Sequence, residues 1–184
     1  KNAVVVNDIV LNPNDMTFQG DNSNITEPNY KGTVYGNGFA IKNFPGPLFN
    51  KTAASFKGLH MDMNIEETTS PIFGAFARQL VANGNAPKVE HCSVSGTIAI
   101  NTNIAPAKAD VLEDGATGGF VGIASGVLFE NCVNNAALEL KRYSSTVKMW
   151  SNMGGLVGLA GMADGKSTSF TNCTNNGTLK YSNT

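Results

Sequence analysis

The sequence predicts an all-β fold: a right-handed parallel β-helix, a solenoid of about four or five rungs with about three short strands each. Three observations lead there. Two short motifs alternate along the 184-residue chain and recur at intervals of about 40 residues. The motifs keep their length while the spacers between them vary, as happens when strands stack in register and insertions loop out. No segment carries a sustained helical period, and the helical candidates, such as residues 74–80, are brief and bounded by Gly or Pro. A single rung cannot bury its own apolar face, whereas stacked rungs can. The right hand follows from the crossover rule for parallel strands.

Taken in chain order, residues 1–184 form one domain, with irregular first rungs over residues 3–80 and regular repeats over 88–180. The chain opens on the apolar strand Val4-Val5-Val6, and Tyr35-Gly36-Asn37-Gly38 then marks a turn, since Gly and Asn tolerate positive φ. Pro47-Leu48-Phe49 and Pro71-Ile72-Phe73-Gly74-Ala75-Phe76-Ala77 are a stub and a degenerate copy of the first motif. Its clear copies are Gly118-Gly119-Phe120-Val121-Gly122 and Gly154-Gly155-Leu156-Val157-Gly158, where the paired glycines suggest a tight turn into a strand. The second motif reads Val89-Glu90-His91-Cys92, Phe129-Glu130-Asn131-Cys132 and Phe170-Thr171-Asn172-Cys173. Two apolar residues three apart break strict alternation, so a corner belongs at the Asn step. Stacking in register places Phe129 over Phe170, Leu138 over Leu179 and Cys132 between Cys92 and Cys173. Cys92, Cys132, Cys173, Asn131 and Asn172 thus form the expected structural ladder. Parallel Cβ vectors about 4.8 Å apart are too distant for disulfides, so the thiols are expected to be free, buried hydrophobes. Asn134, outside the corner, is expected to be exposed.

Composition narrows the function. The 13 Lys+Arg and 14 Asp+Glu leave a net charge of −1, which offers no basic stripe for nucleic acid and no polybasic membrane patch. Mean hydropathy is −0.11, and no apolar run reaches the roughly 18 residues of a membrane span. Low charge with abundant Asn, Thr, Ser and Gly suits a secreted or surface protein. A chain beginning at Lys1 reads as a mature or trimmed segment of a longer protein.

Beyond the repeats, Val4-Val5-Val6-Asn7-Asp8-Ile9-Val10-Leu11, then Tyr30-Lys31-Gly32-Thr33-Val34-Tyr35-Gly36-Asn37-Gly38-Phe39-Ala40-Ile41, then Gly46-Pro47-Leu48-Phe49 follow one another. With Gly154-Gly155-Leu156-Val157-Gly158, they resemble the GLUG-type repeat family of bacterial surface and adhesin-like proteins. The resemblance spans residues 4–179. Tyr35 and Phe39 depart from the Asp and His usual in that family. It implies a parallel β-helix, a bacterial secreted or cell-surface location and adhesion-like roles, with no defined active site.

The function expected is therefore a non-enzymatic adhesion or spacer module that presents binding loops. The alternative is a carbohydrate-binding or carbohydrate-cleaving β-helix, such as a polysaccharide lyase or hydrolase, which needs clustered carboxylates. Only Glu90 and Glu130 fall at equivalent repeat positions. His91 adjoins Cys92, but neighbours on a strand face opposite ways, so no Cys–His pair is expected. Residues 110–114 are acidic but lack a calcium-loop frame. Gly161-Met162-Ala163-Asp164-Gly165-Lys166-Ser167 is one residue short of a phosphate loop and reads as a surface turn. No catalytic residue, metal site or cofactor is implied. The best binding candidates are Trp150, Tyr143, Arg142 and Lys148, in an insertion before Gly154; aromatics among polar neighbours suit a glycan or an extracellular host protein. The insertion at 101–117 should emerge on the same side and help frame a shallow groove.

Overall fold

The structure, a computed structural model, describes residues 2–12, 26–27, 30–67, 70, 72–102, 115–142 and 152–183. All regular structure among them is β, and every strand pair but one is parallel. The chain visits three large sheets in a constant order five times, and a sixth pass visits the first two. The first pass runs through β1 (Ala3–Val4), β2 (Ile9–Val10) and β3 (Thr26–Glu27), and the second through β4 (Thr33–Tyr35), β5 (Ala40–Lys42) and β6 (Phe49–Thr52). The third holds β7 (Ser55–Lys57), β8 (His60–Glu67), β9 (Ile72–Phe73) and β10 (Ala77–Val81). The fourth holds β11 (Lys88–Glu90), β12 (Ser93–Thr102), β13 (Ala116–Gly118) and β14 (Val121–Ser125). The fifth holds β15 (Leu128–Glu130), β16 (Val133–Asn134), β17 (Ala137–Arg142), β18 (Asn152–Gly154) and β19 (Val157–Ala163). After the hairpin strand β20 (Lys166–Ser167), the sixth holds β21 (Ser169–Thr171), β22 (Thr174–Asn175) and β23 (Leu179–Asn183).

The first sheet has the order β1-β4-β7-β11-β15-β21 and the second β2-β5-β8-β12-β16-β22, with β17 and β23 continuing it; the third runs β20-β19-β14-β10-β6-β3. A small sheet, β18-β13-β9, lies between second and third along the chain. Five full passes and a partial sixth stand against the four or five rungs expected, and a pass holds up to five strands where about three were expected. The extra strands were not counted because the first motif reads as one strand, whereas Ile72-Phe73, Ala116-Thr117-Gly118 and Asn152-Met153-Gly154 pair as a sheet of their own ahead of the bend.

Alternation decides which side chains enter the core. On β8, Met61 and Met63 are buried while Asp62 and Asn64 face outward. Successive passes align Val34, Phe56, Val89, Phe129 and Phe170 in one column, and Ile98, Leu138 and Leu179 in another. An aromatic run crosses the interior from Tyr30 through Phe49, Phe56, Phe76, Phe120 and Phe129 to Phe170, with neighbouring ring centroids 5.0–6.5 Å apart.

The corner between first and second sheets is left-handed backbone at His91, Asn131 and Asn172, with φ of 52°, 53° and 50°. The glycine pairs sit at the tight turn expected of them, where a Cβ on Gly118 would lie 2.3 Å from the Val121 carbonyl oxygen and one on Gly154 2.2 Å from that of Val157, and their second members have a further cause. Gly119 and Gly155 carry no positive φ; a Cβ on Gly119 would lie 2.5 Å from Asn134 Oδ1, and one on Gly155 2.3 Å from Asn175 Cγ. They are small because an asparagine amide fills the space beside them. Residues 161–167 form the β19–β20 hairpin, whose turn residues Asp164 and Gly165 both have positive φ.

Candidate functional site

Three insertions leave successive passes at one corner of the molecule. β8 ends at Glu67, β12 at Thr102 and β17 at Arg142, and these ends are adjacent because Glu67 pairs with Ile100 and Thr102 with Arg142. The chain returns at Ile72, Ala116 and Asn152, which are likewise in register. Segments 103–114 and 143–151 are therefore both mounted on neighbouring parallel strands. Tyr143, Lys148 and Trp150 lie outside the described residues, as do residues 110–114, and of Arg142 only its place in β17 is described.

The stems are built from charge and amide contacts. Glu67 and Arg78 make a nearly buried ion pair, Arg78 Nη2 to Glu67 Oε2 at 2.7 Å, with side-chain exposures of 12% and 7% for Arg78 and Glu67. Arg78 Nη1 also donates to the Ile72 carbonyl at 2.6 Å, and Ser70 N to Glu67 Oε1 at 3.2 Å. These bonds clamp both ends of the short connection between β8 and β9. One pass further on, Asn101 Nδ2 donates to Glu66, and Asn152 N to the Gly115 carbonyl at 2.8 Å. On β17, Lys180 Nζ lies 2.9 Å from Glu139 Oε1 and Lys141 Nζ 3.7 Å from Oε2. Lys180 is the main cause of the lowered Glu139 pKa.

The ladder residues divide in two. Cys92 and Cys132 are buried, free thiols, and burial pushes both up to about 12. Cys173, on the last pass, is half-buried. Each S–H donates to the carbonyl two residues earlier: Glu90, Glu130 and Thr171. Asn172 Nδ2 donates to Asn131 Oδ1 at 3.3 Å on the exposed side of the corner. The deeply placed amide is Asn134 instead, which is 0% exposed, contrary to the sequence expectation. Its Nδ2 donates to Asn175 Oδ1 at 2.7 Å and to the Ala136 carbonyl, and its Oδ1 accepts from Ala136 N. The second sheet aligns Asn134 with Val94 and Met61, so it points inward. Sequence reasoning missed it by placing Asn134 outside the corner and therefore on the surface. The Glu67 pair was missed too, although Glu67 holds the inward parity of Met61 and Met63.

Glu90 is in register with Lys57 on one side and Glu130 on the other. His91 is exposed while Cys92 is buried, so the two side chains lie on opposite sides of the wall. His60 Nδ1 lies 2.7 Å from Ser93 Oγ on the outer face of the second sheet. Beside it Asp8 is held below the usual carboxylate range by the Ala40 N–H and by Lys42, 2.9 Å away. Among the described residues no three His, Cys, Asp or Glu side chains group to hold a metal, and no helix is long and apolar enough to cross a membrane. No family model, curated protein or solved structure matches the chain.

Proposed function

We propose that this chain is a right-handed parallel β-helix module of a bacterial surface or secreted protein, and that it works without catalysis, presenting loops for adhesion or serving as a spacer. The observation that carries this reading is the corner where segments 103–114 and 143–151 leave and rejoin neighbouring strands. A stack of paired passes is rigid, and loops mounted on it vary without disturbing the core. The recurring order of the three sheets supports the β-helix, and the likeness of the Gly-rich and Phe-x-Asn-Cys segments to GLUG-type repeats supports the surface role. The ligand class is a glycan or an extracellular host protein, bound through Trp150 and Tyr143 with Arg142 and Lys148 beside them. A glycan and matrix-protein screen of the parent and of Trp150→Ala/Tyr143→Ala tests it. Binding should fall roughly tenfold or more in the double variant, as for aromatic anchors generally. It should also depend weakly on salt, because the chain is almost neutral. A ligand that ignores the double substitution refutes the assignment of the loop.

The second reading, a carbohydrate-cleaving β-helix, draws on Glu90 and Glu130 standing in register beside Lys57. Polysaccharide cleavage abolished by Glu90→Gln and Glu130→Gln would establish it over the first.

A further inference from the structure

We draw no further inference here: the strongest candidate, the hydrogen-bonded His60–Ser93 pair on the outer face of the second sheet, belongs with the neighbouring Ser95–Asp62 and Asn101–Glu66 bonds to the side-chain ties that join β8 to β12, and so is accounted for by the fold already described.

Discussion

Asn134 sits where its neighbours in register are Val94 and Asn175, and its amide is fully used: two donated bonds, one accepted, no solvent. Truncation leaves the Ala136 N–H and Asn175 Oδ1 without their partner, so Asn134→Ala should cost about 1–3 kcal/mol in urea melts. Asn172→Ala removes an exposed bond at the last corner and should cost clearly less. Equal losses would mean that the corner amide, not the inward one, holds the passes together. The same burial gradient governs the thiols. Cys92 and Cys132, pushed up to about 12 by burial, should label slowly in the native protein, and Cys173 should label first. Rapid native labelling of Cys132 would contradict its place between two covered passes.

At the scale of elements, the Glu67–Arg78 pair fixes how β8 reaches β9 and β10. Arg78→Ala strands a carboxylate that is 7% exposed and should cost about 3–5 kcal/mol, whereas Glu67→Met with Arg78→Met should recover most of the loss. Equal melts for the single and double variants would show that the pair contributes packing alone. This pair also marks how far the sequence could be read. Phe129 against Phe170 and Leu138 against Leu179 were legible because a whole motif is copied, so alignment of the copies is alignment of the strands. The strands β9, β13 and β18 were not, since backbone pairing holds Ile72, Ala116 and Asn152 together without any shared side chain. The tight turn at the glycine pairs was legible, and a second cause was not: Gly119 and Gly155 also answer to amides that come from the following pass, a contact with no local signature. The loop corner was half legible. Its stems follow from the order of the strands, while Trp150, Tyr143 and Lys148 lie outside the described residues.

For the whole molecule, stability is built from junctions between passes, and each inner pass has two while the first and last have one. The core columns show this directly: Phe56, Phe76, Phe120 and Phe129 are sealed, whereas Phe170 is 46% exposed although it stacks on Phe129 at 5.0 Å. Protection against hydrogen exchange should therefore be highest in β8, β12 and β14 and fall toward β1 and β21. Phe120→Ala opens a cavity between Phe76 and Phe129 and should cost about 3–5 kcal/mol. Phe170→Ala removes a ring that already faces solvent and should cost about half as much, with the loss confined to exchange in β21–β23. The measurement is native-state exchange on both variants. Uniform protection from the first pass to the last, or a Phe170→Ala loss that spreads to β8, would mean that the passes fold as one indivisible unit and that the ends are no weaker than the middle.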